Sequence, residues 1–245
     1  MSIIGTVESV WRYPVKSMRG EQLEEIFVTT AGVRGDRLFA IRSSAAPAEF
    51  PYFTARQQHE MLRYRPCFRD SDGTGHGGII VEVETPSGER LRVDDPALIE
   101  QIRRGIDDKH QVSLMRSDRP LTDARPISIF SLQTARKLGQ ETGTTWDRRR
   151  FRANIYLDLP GTRGFAEDDL VGREVRIGRE VILSVVKKDG RCVIVNLDPD
   201  TAAAAPALLR QVAQAHDGKA GVYCDVASEG IVRSGDAVQL LPEAN

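Results

Sequence analysis

The apolar residues of this chain fall in short alternating runs that glycine and proline keep interrupting, and that spacing constrains the fold more than any other feature. Val7, Ser9, Trp11, Tyr13 and Val15 recur at every second position until Pro14 and Lys16-Ser17 break the run, the period of a half-buried strand. Runs at 26–28 and 38–41 read as two more strands, separated by the glycine-punctuated turn Ala31-Gly32-Val33-Arg34-Gly35-Asp36. Segments 79–84 and 91–93 flank Pro86-Ser87-Gly88 and predict a hairpin, while the glycine-rich stretch 70–78 reads as a mobile loop or irregular connection. Further strands are predicted at 155–157, at Val222, Cys224 and Val226, and at 237–241 after the turn Ser234-Gly235-Asp236.

Helices are few. Asp95-Pro96 is an N-cap followed by proline at the first helical position, and Leu98, Ile99, Ile102 and Ile106 then form an apolar stripe. Ser131 caps a predicted helix carrying Leu132, Ala135 and Leu138 that ends near Gly143. The alanines at 202–205 lead into Pro206 and a third helix, with Leu208, Leu209, Val212 and Ala213 on one face and Gly218 as its stop. The chain is therefore mainly β (α+β), without the regular βαβ alternation of a doubly wound sheet. Its 245 residues suffice for one large domain or two small ones, and the polar, irregular stretch 115–125 is the expected seam.

Composition narrows the function classes. A net charge of −1 gives no general surface for nucleic acid or anionic membrane. Three widely spaced cysteines, Cys67, Cys192 and Cys224, make a poor disulfide framework and fit a reducing compartment. The N-terminus reads as no secretory signal, and no run approaches the ~18 apolar residues of a membrane span. The expectation is a soluble cytoplasmic protein with no membrane or nucleic-acid partner.

Common catalytic signatures are absent: no Gly-x-Ser-x-Gly elbow, no phosphate-binding loop ending Gly-Lys-Ser/Thr, no His-Glu-x-x-His and no Cys-x-x-Cys. The four histidines are scattered, and His216 is expected as a solvated cation at a helix end. Cys192 stands out instead. It lies in Lys187-Lys188-Asp189-Gly190-Arg191-Cys192, read as a basic turn between strands at 181–186 and 193–195. Nearby positive charge favours the thiolate, the form that acts as nucleophile or soft metal ligand; the alternative is a cysteine packed as a small hydrophobe. Arg148, Arg149 and Arg150 read as a solvated basic turn. Arg152 and Asn154 alternate with Phe151 and Ile155 as a strand begins, so a guanidinium fork sits beside an amide, suited to a phosphate or polar heterocycle. Thr54-Ala55-Arg56-Gln57 and Gly35-Asp36-Arg37 are similar polar insertions, and Asp36 is also readable as the anchor of an arginine.

Taken in order, these segments resemble the MOSC family, named for the C-terminal domain of molybdenum cofactor sulfurase, in the arrangement of the mitochondrial amidoxime-reducing component and its bacterial relatives. Tyr13-Pro14-Val15-Lys16-Ser17, Asp36-Arg37 and Thr54-Ala55-Arg56-Gln57 match the N-terminal domain. Phe151-Arg152-Ala153-Asn154-Ile155 resembles the family's Phe-Arg-Pro-Asn-Ile, followed by Phe165-Ala166-Glu167-Asp168 and Ile177-Gly178. Arg191-Cys192 with Asp198-Pro199-Asp200-Thr201 matches the cysteine motif, and Gly235-Asp236 the closing one. The resemblance implies an N-terminal β-rich domain over 1–118 and a MOSC-type β-barrel with peripheral helices over 119–245.

It also implies a molybdenum cofactor, with Cys192 as the thiolate on the metal and as the catalytic residue. Lys16, Arg37, Arg152 and Asn154 would hold the pterin and its phosphate, with Arg191 either contributing or purely structural. Three departures stand out: Gly190 where relatives often carry serine, Ala124-Arg125 in place of small hydroxyl residues, and Ala153 in place of proline. The implied activity is reduction of N-hydroxylated compounds. Neither the mitochondrial membrane anchor nor the ferredoxin-like domain of some bacterial members is read here. The electrons are therefore expected from a separate protein: a ferredoxin, a flavin reductase or a cytochrome b5-like donor. A non-catalytic cofactor carrier, or a sulfur carrier using a Cys192 persulfide, are the alternatives.

Overall fold

Seven strands close into a barrel because the first is long enough to serve both ends of the sheet. In the computed structural model, which describes residues 2–70, 79–104, 106–107 and 109–242, this strand spans Ser2–Arg12. Its first residues pair antiparallel with Ala237–Leu240 and its later ones with Ile155–Asp158. From Ile155–Asp158 the ring continues through Ile127–Ser131, Lys219–Ser228, Val181–Gly190 and Glu174–Ile177 back to Ala237–Leu240. Only Ile127–Ser131 and Ile155–Asp158 run parallel, so a crossover carrying a helix must join them. Alternation sends Val7, Ile129, Leu157, Leu183, Val222 and Val238 inward to fill the barrel. Cys224 is one of these core residues, and burial pushes its thiol pKa up. The short strand Glu21–Leu23 extends the sheet beside the end of the first strand.

Closure depends on a kink. The register slips between Ile3 and Gly5, just where the first strand passes from one neighbour to the other. A β-carbon on Gly5 would stand 2.2 Å from the Asp158 carbonyl oxygen and 2.8 Å from a Leu159 methyl, so only glycine lets the two backbones approach.

Glu25–Thr29 pairs with Gly32–Val33 and with Gly230–Arg233, so the strands of residues 2–33 hydrogen-bond among the strands of the second half. Residues 39–116 build a separate layer. Phe39–Ser43, Tyr52–Phe53 and Val112–Arg116 form one three-stranded sheet, and Arg65–Asp70, Ile79–Glu84 and Arg90–Arg92 another. The helix Pro96–Arg103 packs with them through Leu98 and Ile102, on a core that includes Ile41, Phe53, Met61 and Val83. The predicted hairpin is present, whereas 71–78, predicted as a loop, lies outside the described residues.

Two of the helices have their predicted side-chain caps, and the third, without one, ends at Ala215 ahead of Gly218. Asp95 accepts from the Ala97 N–H at 2.9 Å, and that helix ends at Arg103, short of Ile106. Ser131 accepts from the Thr134 N–H, and Leu132–Thr142 closes on left-handed Gly143. Ala207–Ala215 begins only after the alanine run, whose Ala202 is itself left-handed. No helix among the described residues is long and apolar enough to cross a membrane. Gly5→Ala is expected to lower unfolding stability by about 1–3 kcal/mol, read from the urea midpoint; an unchanged midpoint would show that the barrel closes without this contact.

Candidate active site at the seam

The cysteine segment is built differently from the two strands and basic turn its sequence suggests. Strand Val181–Gly190 runs straight through Lys187 and Lys188, and after Arg191 the chain enters the 3-10 turn Val193–Asn196, with Cys192 at its N-cap. Pairing with Lys219–Ser228, which extends as far as Gly190 opposite Lys219, keeps the strand extended past the apolar run. Lys188 pairs with Asp168 at 2.9 Å and Lys187 faces the Tyr223 ring, so neither serves as the thiol's neighbour. What fixes Cys192 is packing on both sides: Ile194, Leu197 and Ala202 enter the core of the 39–116 layer, and Val195 enters the core beneath the helices.

Cys192 therefore faces a narrow cleft of about 90 Å³ between the 39–116 layer and the barrel. All six predicted residues, Lys16, Arg37, Arg152, Asn154, Arg191 and Cys192, line it. They come from four places in the sequence, so the fold alone brings them together. Among the described residues, seven cationic side chains and two carboxylates, Asp123 and Asp189, face this space. No histidine lines it.

Arg152 is held in a strained conformation. Its φ is 52°, and Arg37 at 47° and Ser17 at 65°, also lining the cleft, share the left-handed region. For residues with a β-carbon this costs about 1–3 kcal/mol each and persists only where surroundings impose it. Here they do. Tyr13 lies between the two guanidinium groups, 4.6 Å from Arg37 and 4.5 Å from Arg152, and its hydroxyl donates to the Ala153 carbonyl. Arg37 Nη2 donates to the Arg152 carbonyl at 3.1 Å, and the Tyr156 hydroxyl accepts from the Ala153 N–H. Asp36, fully buried, accepts from the Tyr13 N–H at 2.8 Å and from Arg37 Nη1 at 2.5 Å, which makes it the arginine anchor. Burial alone would depress the Arg37 pKa, but Asp36, with Tyr13 and Asp123, outweighs it and raises it. Arg152 has no such partner, and burial, with Arg37 beside it, lowers its pKa.

Two of the six residues spend their hydrogen bonds on the frame. Asn154 precedes strand Ile155–Asp158 and is 1% exposed; its side chain accepts from Ser128 and donates to the Trp11 carbonyl, joining three barrel strands. Arg191 donates to the carbonyls of Ala220 and Phe151 at 2.6 and 2.8 Å and lies 2.8 Å from Asp189. Arg152 and Asn154 reach the cleft from a 3-10 turn and its exit, not from one strand face.

The neighbouring arginines are not a solvated turn. Arg150 is buried, donating to the Asn196 carbonyl and pairing with Asp198, and it lines the cleft. Arg148 pairs with Glu8, and Arg149 with Asp147 and Asp200. His216 likewise is not a free cation: it stacks on Phe165 at 3.8 Å and bonds Glu141.

Sequence reasoning gave no role to Asp123, Asp189 or Tyr223. Lys16 is 7% exposed and binds the Leu121 carbonyl and the Asp123 carboxylate. Its pKa is lowered by burial against the pull of Asp123, while that of Asp123, despite burial, is lowered by Lys16, Arg37 and Arg56. Asp189 is 2% exposed, and burial raises its pKa against the pull of Arg191. Its signal was a lone acid in a basic stretch, visible but without a partner in the local sequence.

The chemistry of the cleft follows. Arg152 Nη2 is buried without a hydrogen-bond partner, an unmet donor in a space of strong positive excess. Among the described residues no group of three His, Cys, Asp or Glu is placed to hold a metal ion. A metal at Cys192 must therefore bring most of its ligands with it, and a multiply anionic, sulfur-liganded group fits both the donors and the thiol.

Comparison with known proteins matches family models along most of the chain. A family model described as the MOSC domain matches residues 116–239, and one described as the MOSC N-terminal beta barrel domain matches residues 4–124. The solved YuaD protein from Bacillus subtilis is 14% identical over 96% of this chain and 93% of its own, with a TM-score of 0.50, a likeness of fold. YiiM from Escherichia coli is 14% identical over 96% of this chain and 71% of its own, TM-score 0.43. YiiM from Geobacillus stearothermophilus is 18% identical over 53% of this chain and 67% of its own, TM-score 0.39. No curated protein matches the chain. Asp36→Ala, which strands Arg37 and frees the Tyr13 N–H, is expected to cost about 3–5 kcal/mol in denaturant unfolding; a loss under about 1 kcal/mol would show that the knot is not needed.

Proposed function

The chain belongs to the MOSC domain family, and from that premise we propose that its cleft holds a molybdenum cofactor with Cys192 on the metal, and that it reduces N-hydroxylated compounds. The observation that carries this reading is the joint presence, in one cleft, of an accessible thiol and a cationic lining whose Arg152 still has an unmet donor. When bound, such a cofactor supplies the two-electron chemistry that takes oxygen from an N–O bond. The chain's part is binding and placement. Lys16, Arg37 and Arg152 face the space as donors for the pterin and its phosphate. Arg191 and Asn154 act at one remove, fixing the loops that present Arg152 and Cys192. Packing of Ile194 and Val195 on opposite cores holds the thiol at the seam without a mobile tether. Electrons come from a separate protein of the ferredoxin, flavin reductase or cytochrome b5-like kind, and the substrate is a small hydroxylamine or amidoxime.

Protein purified from a molybdenum-replete host is expected to carry molybdenum and pterin and to reduce an amidoxime or hydroxylamine with an artificial donor. Cys192→Ala is expected to lower turnover by more than about a hundredfold, beyond what loss of a merely supporting residue costs. Cofactor-loaded protein that reduces no N–O compound would contradict the enzyme and leave a carrier. Sulfane sulfur on Cys192 without metal would point to sulfur transfer.

A further inference from the structure

Of the two carboxylates facing the cleft, one is buried and one is half-exposed. Asp189 is buried against Arg191 at the end of a barrel strand. Asp123 differs in every respect: its side chain is 46% exposed, and it sits on a bend between the 39–116 layer and the strand that starts at Ile127. The Leu121 N–H is held by the Arg37 carbonyl and the Arg125 side chain by Asp225, but among the described residues no backbone–backbone hydrogen bond ties down 122–125. From this loose stretch Asp123 reaches to Lys16 and comes within 4.0 Å of Arg56 Nη2. Phe50 backs both cations, with Lys16 Nζ 5.3 Å and the Arg56 guanidinium 4.9 Å from the ring centre. Lys16 is nearly buried, and both acceptors of its ammonium come from this one stretch, the Leu121 carbonyl and the Asp123 carboxylate.

A buried ammonium needs a counter-charge whether or not a ligand is present. Asp123 supplies one here, at a position where an anionic ligand would place its own. We propose that Asp123 is an internal stand-in for a phosphate, covering Lys16 and Arg56 until the phosphate of the bound ligand displaces it and the 122–125 stretch swings away. The identity of that ligand as a pterin phosphate rests on the cofactor reading; the competition itself does not. The consequence is that Lys16 keeps a counter-charge when the cleft is empty, and that the cleft binds phosphate more weakly than its cations alone would allow.

The test uses cofactor-free protein, made in a host unable to synthesise the pterin, titrated with inorganic phosphate at constant ionic strength and followed by chemical-shift perturbation. Asp123→Asn is expected to tighten phosphate binding on the order of tenfold, the ratio for a cleft otherwise covered about nine-tenths of the time. Asp123→Ser provides a second variant should the first fold poorly, with the same expected direction. Adding Lys16→Ala to either is expected to abolish the gain. Unchanged or weaker phosphate binding in the Asp123 variants would overturn the stand-in role. That failure would leave the molybdenum and pterin contents untouched, whereas a tighter phosphate site in a protein that never retains pterin would sink the cofactor reading alone.

Discussion

Tyr13 between two arginines is the contact on which the geometry of the cleft depends. Its ring centre lies 4.6 Å from the Arg37 guanidinium and 4.5 Å from that of Arg152, and each cation–aromatic contact is worth about 0.5–2 kcal/mol when desolvated. Two like charges would otherwise repel across so short a span. The aromatic face, the Asp36 carboxylate and the Arg152 carbonyl that accepts from Arg37 allow them to share one wall. Because Tyr13 follows directly on the first barrel strand and Arg152 on the loop before Ile155–Asp158, the same contact locks the seam.

That lock explains why three left-handed residues gather at one place. Each would relax if it were alone, but the loop at 148–154 is grasped by Tyr13, Tyr156, Arg37 and Arg191 through its own carbonyl and amide groups. The strain is distributed over hydrogen bonds that the rest of the barrel already requires. In return the guanidinium of Arg152 lines the cleft with one N–H unpaired, as an N–H of Arg148 and of Arg150 also is. Binding capacity and fold stability are thus coupled at Arg152, whereas Cys192 is placed by apolar packing of its neighbours and by the hydrogen bonds of Arg191.

Much of this was legible in the residues. Alternation at Val222 to Val226 and the caps Asp95 and Ser131 express local physics and appear as expected, whereas the run from Val7 is a strand only as far as Arg12 and slips register between Val7 and Ser9. The hidden parts are those where tertiary pairing overrides local preference. Lys187 and Lys188 read as a turn because they are charged, yet a long partner strand keeps them extended. The run at 193–195 looks like a strand, but its residues face two different cores and so must coil. Arg150 looked solvated because its acceptors, the Asn196 carbonyl and Asp198, lie more than forty residues away. Asp123 was invisible for the same reason, since its partners Lys16 and Arg56 come from the other end of the chain. Lys16, Arg37, Arg152 and Cys192 were found through the order of motifs along the sequence, not through spacing; their convergence on one cleft is a property of the fold.

The ligating role assigned to Cys192 is open to direct observation. X-ray absorption at the molybdenum edge reports the sulfur neighbours of the metal in cofactor-loaded protein. Wild-type protein is expected to show one more sulfur neighbour than the Cys192→Ser variant, with the pterin sulfurs common to both. The same sulfur shell in both proteins would contradict ligation by Cys192 and return it to the status of a packed thiol at the edge of the cleft.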